Sequence, residues 1–91
     1  MSQIEVHLFS TLREKVGKGK ISIDARNIKD ALRKLENKFG DKFREELYEK
    51  GRIKSHYIFL LNGRVIDVKA LSQTKLSPGD ILHIMPPVAG G

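Results

Sequence analysis

The sequence of 91 residues contains no cysteine and no tryptophan. Without a thiol, the chain has no disulfide framework, no thiolate ligand for a metal and no cysteine nucleophile. It also lacks a membrane span, because the longest apolar run, residues 57–61, falls far short of the about 20 apolar residues that a spanning helix needs. Residues 1–5 lack the basic and apolar regions of a signal peptide. We therefore expect a cytoplasmic protein that binds no membrane.

The length predicts one small domain, and the charge is strongly positive. Lysine and arginine number 17 against 11 acidic residues, a formal net charge of +6, which would suit a nucleic acid or an acidic protein. The basic residues are interleaved with acids, as in residues 42–46, which is typical of a solvated surface. The sequence has no glycine-rich phosphate loop, so nucleic-acid binding ranks last among the functions considered.

The first half of the chain predicts a hairpin followed by a helix. Apolar and polar residues alternate at 3–9, which predicts a first strand. Residues 10–17 break the alternation and predict a turn or a short helical loop before a second, antiparallel strand at 21–23. Apolar residues then recur at helical spacing over 27–39, and residues 41–50 can add a helical turn or two.

Capping residues support that helix, since Asn27 is a good N-cap, Asp30 suits the first turn and Gly40 offers an end. In the second half, an Asn-Gly pair predicts a hairpin between strands at 56–61 and 64–68. A last strand follows at residues 81–85. The pattern predicts an α+β fold, a mixed five-stranded sheet with one main helix packed on one face.

The end of the chain combines a stiff start, small side chains and a free glycine carboxylate. Its residues are Pro86, Pro87, Val88, Ala89, Gly90 and Gly91. Proline cannot continue a strand ladder, so we expect a domain at residues 1–85 and a flexible, extended tail at 86–91. Such a tail reaches roughly 20 Å at about 3.3 Å per residue, enough to enter a narrow channel. A frayed terminus is the alternative, but it leaves the double proline unexplained.

Four stretches carry a resemblance to a known family: residues 9–17 (FSTLREKVG), the Asn-Gly turn, residues 76–80 (LSPGD) and the tail. On these residues the chain resembles the MoaD/ThiS family of ubiquitin-like sulfur carriers, and within it an archaeal form of the molybdopterin synthase small subunit (MoaD). The resemblance spans nearly the whole chain and implies a β-grasp, or ubiquitin-like, fold. Residues 41–54 depart from it, because they are longer than a compact member needs.

The resemblance implies that the Gly91 carboxylate reacts and that Gly90, which has no Cβ, admits it to narrow sites. A carboxylate is ionised at neutral pH and is a poor electrophile, so an E1-like, MoeB-like adenylyltransferase would activate it with ATP. Sulfur from a separate donor would displace AMP and leave a thiocarboxylate. The tail would then enter a MoaE-like large subunit and give its sulfur to the pterin precursor in molybdenum cofactor biosynthesis. The chain would be a non-catalytic subunit, inactive alone, with no metal and no tightly bound cofactor.

The resemblance also implies a partner-binding surface on the exposed sheet face and beside the tail. The matching residues are Phe9, Arg13, Val65 and Met85, together with Pro86, Pro87, Val88 and Ala89 of the tail. Core packing is the alternative for the apolar ones. The histidines are expected to be dispersed, one on each of three strands, and to serve sheet packing or the surface rather than a metal. They are His7, His56 and His83.

Two other functions share the tail chemistry. The same carrier can serve thiamine biosynthesis or tRNA thiolation, although the Pro-Pro-Val leader and the chain length favour the molybdopterin branch. Alternatively, the protein is a ubiquitin-like modifier that is conjugated through Gly91 to lysines of target proteins.

Overall fold

The structure is a computed structural model that describes residues 1–86, so the predicted tail after Pro86 lies outside the described residues. Within residues 1–86, no helix is both long and apolar enough to cross a membrane. The elements follow the chain as β1 (Ser2–Leu8), α1 (Ser10–Val16), β2 (Lys20–Ala25), α2 (Ile28–Phe39), α3 (Asp41–Leu47), β3 (Tyr48–Glu49), β4 (Arg52–Ile53), β5 (Ile58–Leu61), β6 (Arg64–Ile66), a 3₁₀ helix (Val68–Ala70) and β7 (Ile81–Met85).

Five strands form one mixed sheet in the order β2-β1-β7-β5-β6. The last strand, β7, lies at its centre, parallel to β1 with Leu8 beside Ile84 and antiparallel to β5 with Phe59 opposite Ile84. Both predicted hairpins are present, since β1 pairs antiparallel with β2 and β5 pairs antiparallel with β6. The predicted mixed five-stranded sheet with the main helix, α2, packed on it is confirmed.

Alternation along the strands divides the sheet into two faces. In β7, Leu82 and Ile84 are fully buried, whereas Ile81, His83 and Met85 face the other way. The buried face meets α2, whose apolar stripe is equally inaccessible to solvent. Each such large apolar side chain stabilises the fold by about 1.5–3 kcal/mol relative to an exposed one. The buried residues of α1, α2 and α3 all belong to this one core, so within residues 1–86 we find no α-helix that covers the opposite face of the sheet.

Two segments differ from the sequence-based predictions. Ser10–Val16 form a regular helix, α1, where a turn or a short helical loop was predicted, because the fully buried Leu12 anchors this segment to the core. Residues 48–50 were predicted to be helical, but α3 ends at Leu47, and β3 and β4 form a small hairpin instead. Its two turn residues, Lys50 and Gly51, have φ angles of 53° and 78°, the left-handed pair that a two-residue hairpin turn requires. Lysine rarely signals such a turn.

The Asn-Gly prediction is confirmed. Asn62 and Gly63 have φ angles of 50° and 87° and join β5 to β6. The side chain of Asn62 also accepts a hydrogen bond from the backbone N–H of Ile81 and donates one to the carboxylate of Asp80, both at 2.9 Å. The turn is thereby fastened to the beginning of β7.

The start of α2 is held by a buried carboxylate. The Asn27 side chain accepts a hydrogen bond from the backbone N–H of Asp30 at 2.7 Å, as expected for an N-cap. Asp30 is only 5% exposed, and its carboxylate accepts from the backbone N–H of Arg26 at 3.0 Å and from the Arg33 guanidinium at 2.7 Å. The bond from Arg26 and then that from Arg33 hold the pKa of Asp30 below its usual value.

We predict that Asp30→Asn destabilises the protein at neutral pH by about 1–2 kcal/mol, because the amide cannot reproduce two bonds to a buried charge. The loss is fully present above the unfolded-state pKa of about 3.9 and fades as the pH falls through the lowered folded-state pKa of Asp30. Urea unfolding between pH 2 and pH 7 measures it. Asp24→Asn, at an exposed position, is the control. An Asp30→Asn effect that is equal at both ends of the pH range would contradict the assignment.

Candidate functional site

The helix-free side of the sheet carries a continuous row of side chains, which we call the open face. In register across four strands, His7 lies beside His83, His83 opposite Leu60 and Leu60 opposite Val65. The next row pairs Met85 with Ile58, and Phe9 follows β1 at the end of the sheet. The open face comprises His7, Phe9, Ile58, Leu60, Val65, His83 and Met85.

Much of the open face is apolar and accessible. Val65 is 72% exposed and Ile58 is 40% exposed, whereas their neighbour Phe59, pointing to the core, is fully buried. A contiguous apolar surface of this kind is costly to leave in water and usually marks a binding site for another protein. The alternative of core packing therefore does not hold for Val65.

An aromatic cluster occupies one end of the open face. The rings of Phe9 and His83 meet edge to face with centroids 5.5 Å apart, and those of His7 and His83 lie 4.9 Å apart. The prediction of dispersed histidines is thus wrong for these two, because the parallel pairing of β1 and β7 brings them together. His56 remains apart from the other two histidines, but the prediction that it lies on a strand is wrong, because β5 begins at Ile58. Among residues 1–86, no group of three or more His, Cys, Asp or Glu side chains is arranged to hold a metal.

The same end of the sheet is where the chain leaves the fold. Because β1 and β7 run parallel with Leu8 beside Ile84, Phe9 and Met85 emerge at the same end of the sheet. Pro86 follows directly and is half-buried. The tail therefore begins next to the aromatic end of the open face.

A cationic depression of about 350 Å³ lies beside this exit, lined in part by Phe9, Arg13, Gly19 and Lys20. Gly19 leaves room for the guanidinium, since a Cβ there would lie 3.1 Å from Nε of Arg13. Helix α1 presents Arg13 on its exposed side, opposite the buried Leu12. This end of the sheet thus combines an apolar surface with positive charge.

The structure brings together four residues predicted to bind a partner. Phe9, Val65 and Met85 lie on the open face, and Arg13 lines the depression beside it. Their role in binding stays a prediction. The remaining tail positions lie outside the described residues: Pro87, Val88, Ala89, Gly90 and Gly91.

Sequence reasoning missed four members of the open face, and a signal for them existed. Alternation in the strands at 56–61 and 81–85 shows which residues share a face, but the face becomes visible only when the strands are ordered. The missed residues are His7, Ile58, Leu60 and His83.

The sequence and the fold are similar to those of known proteins. A family model described as the ThiS family matches residues 6–91. Small archaeal modifier protein 3 from Haloferax volcanii is 38% identical over 93 residues, which cover 98% of this chain and 99% of that protein. The crystal structure of small archaeal modifier protein 1 from H. volcanii has a TM-score of 0.84 and 26% identity, covering 99% of this chain and all of that one (100%).

A further similar structure is a complex of subunits 1 and 2 of the molybdopterin-converting factor from Helicobacter pylori. One of its chains is 27% identical, with a TM-score of 0.66 over 98% of this chain and 99% of that chain. These likenesses confirm the predicted β-grasp, ubiquitin-like fold.

The pKa of the Glu5 carboxylate on β1 can be used to test the position of His7 at the aromatic end of the open face. The hydrogen bond with His7 holds the pKa of Glu5 below its usual value. We predict that NMR titration of the side-chain carboxyl finds Glu5 more acidic than an ordinary glutamate, and that His7→Phe returns its pKa toward that value because the bond is lost. Exposed Glu14 serves as an internal reference. Equal Glu5 pKa values in both proteins would show that the bond is absent in solution.

Proposed function

Because the chain belongs to the ThiS family, which comprises ubiquitin-like sulfur carriers and modifiers, we propose that it is the sulfur-carrying small subunit of a molybdopterin synthase. The observation that carries the proposal is the position of the open face, which is apolar and ends where the chain passes into its Gly-Gly terminus. A partner that docks on this face receives the C-terminal residues at a fixed point. The partner would then bind the domain and receive its C-terminal residues in a single step.

The open face supplies the contact area for the large subunit in this proposal. Val65 and Ile58 lose the most water-accessible apolar surface on docking, and Phe9 anchors the edge nearest the tail. Arg13 offers a cation to a carboxylate of the partner. The H. pylori complex of subunits 1 and 2 supports assembly with a MoaE-like subunit, since a chain of that complex shares the fold.

The reacting group is the carboxylate of Gly91. A carboxylate oxygen attacks the α-phosphate of ATP on an E1-like, MoeB-like adenylyltransferase, and pyrophosphate leaves. The terminal sulfur of a persulfide donor then displaces AMP, and a thiol reduces the acyl disulfide to release the thiocarboxylate. Residues 86–89 act as the stiff leader, Gly90 lets the chain pass a constriction, and ATP is bound by the activating enzyme rather than by this chain.

A second candidate function is protein modification. Its specific support is the 38% identity to a protein named small archaeal modifier protein 3, which covers nearly the whole of both chains. In that case the acyl group of Gly91 passes to the Nζ of a target lysine, with loss of the activating group and no sulfur transfer to a pterin. Adenylation is common to both functions, so activation alone cannot separate them.

We predict that the full chain gains about 16 Da when it is incubated with an E1-like adenylyltransferase, ATP and a persulfide donor, because sulfur replaces one terminal oxygen. Intact mass measures the gain, and tandem fragmentation locates it at Gly91. A chain without Gly91, but otherwise identical, should gain nothing. Adding the large subunit and the pterin precursor should return the mass to its starting value.

Two results would contradict the proposal. An unmodified terminus, under conditions that charge a known carrier, would exclude sulfur carriage. A thiocarboxylate that the large subunit and the pterin precursor leave intact, together with Gly91 found joined to lysines in cell extract, would establish the modifier instead.

A further inference from the structure

A second surface feature lies on the helix side of the molecule, away from the open face. It is a groove of about 710 Å³ between α2, the β3–β4 hairpin and the 3₁₀ helix, which we call the helix-side groove. None of the open-face residues lines it. The residues that matter here are its apolar members Leu32, Tyr48, Ile53, Val68 and Leu71 and its cationic members Lys29, Arg52 and Lys69.

The floor of the groove is apolar. Leu32 and Leu71 belong to the core and are only 2% and 4% exposed. Ile53 and the ring of Tyr48 are half-buried, and Val68 is 42% exposed. Ser55, Asp67 and Ser72 also line the groove. A side chain that reaches the floor would nevertheless meet mainly hydrocarbon, which favours an aliphatic or aromatic residue.

The groove is preformed by bonds between its walls. The backbone N–H of Lys29 donates to the carbonyl of Leu71 at 3.2 Å, which ties the first turn of α2 to the segment after the 3₁₀ helix. The N–H of Lys54 donates to the carbonyl of Leu47 at 2.9 Å and holds the β3–β4 hairpin against α3. The Tyr48 hydroxyl donates to Glu36 at 2.7 Å. Binding of a ligand would therefore require little ordering of the groove and would lose little conformational entropy there.

Three cations line the groove, from α2 (Lys29), β4 (Arg52) and the 3₁₀ helix (Lys69). Among residues 1–86, none of the three side-chain cations forms an ion pair within 4.0 Å. One carboxylate, that of Asp67, also lines the groove and accepts a hydrogen bond from the backbone N–H of Lys69 at 2.8 Å, so the lining keeps an excess of positive charge. Other cations of the same region, such as Arg33, are drawn to Asp30. Positive charge around a hydrocarbon floor is complementary to carboxylates that flank an apolar side chain.

We propose that the helix-side groove binds a segment of a partner protein that carries one or two large apolar side chains flanked by aspartate or glutamate. The apolar floor disfavours a nucleic acid, because its phosphates could contact the cations but would leave the apolar floor without a matching group. The net charge of +6 disfavours a second copy of this chain. Since, among residues 1–86, the groove shares no residue with the open face, one partner can occupy it while another binds the open face.

The proposal is tested with the acetylated, amidated peptide Glu-Asp-Phe-Leu-Asp-Glu and its neutral counterpart Gln-Asn-Phe-Leu-Asn-Gln. Each is titrated into the ¹⁵N-labelled full chain. We expect saturating shifts of the Gly51, Arg52 and Lys69 amides with the acidic peptide and about tenfold weaker binding of the neutral one, since several rim ion pairs together contribute about 1.4 kcal/mol.

Two variants locate the site. Val68→Asp places a carboxylate at the apolar rim and should weaken binding of the acidic peptide about tenfold, whereas Val65→Asp, which makes the same change on the open face, should leave it unchanged. Both valines are exposed, so both variants should fold, and their amide spectra confirm it. Lys29→Glu should weaken binding independently of the apolar contact.

Three results would overturn the proposal. These are shifts that gather on the open face, equal affinity for the two peptides, and groove amides that shift with protein concentration alone. The last would make a second copy of the chain the occupant. The mass measurement that tests sulfur transfer to Gly91 does not depend on any of these outcomes, so the two proposals can fail separately.

Discussion

The arrangement of the molecule depends on the pairing of its last strand at the centre of the sheet. β7 bonds to β1 on one side and to β5 on the other, so residues that are 76 positions apart in sequence, such as His7 and His83, become neighbours. Leu82 and Ile84 are fully buried and fix this strand in the core. The chain therefore passes into Pro86 from the central strand of the sheet rather than from an edge strand.

The same strand arrangement gives the two faces of the sheet different surroundings. The core face of the sheet is covered by α2, whose start is held by the buried Asp30 carboxylate. The open face remains available next to the chain exit, and the helix-side groove lies in the other layer. A small domain thus presents two separate surfaces without a second core, and the chain leaves the fold at Pro86 beside only one of them.

Much of the fold could be predicted from the sequence, because its signals are local. The alternation in β1, the capping of α2 by Asn27 and the Asn-Gly turn each depend on a few adjacent residues, and each is confirmed. The β3–β4 hairpin was missed because Lys50 adopts a left-handed conformation that its side chain does not favour. Tertiary contacts, not local preference, determine that turn.

The candidate site was harder to predict, for a related reason. Phe9, Val65 and Met85 came from family resemblance, while His83 and Leu60 join them only through the strand order, which no short pattern contains. The Gly-Gly terminus, in contrast, can be read directly from the sequence, and its proposed reactivity comes from the family resemblance. What the structure adds is the surface next to it.

The claim that the open face docks the protein receiving the tail is tested most directly by measuring binding to a MoaE-like large subunit by calorimetry. The full chain is compared with Val65→Asp and with Asn37→Asp, which changes the charge equally at an exposed position of α2. The account predicts that Val65→Asp binds about tenfold more weakly or worse, because a carboxylate is then buried against an apolar partner surface, and that Asn37→Asp binds like the parent. Equal affinity of all three proteins would contradict it.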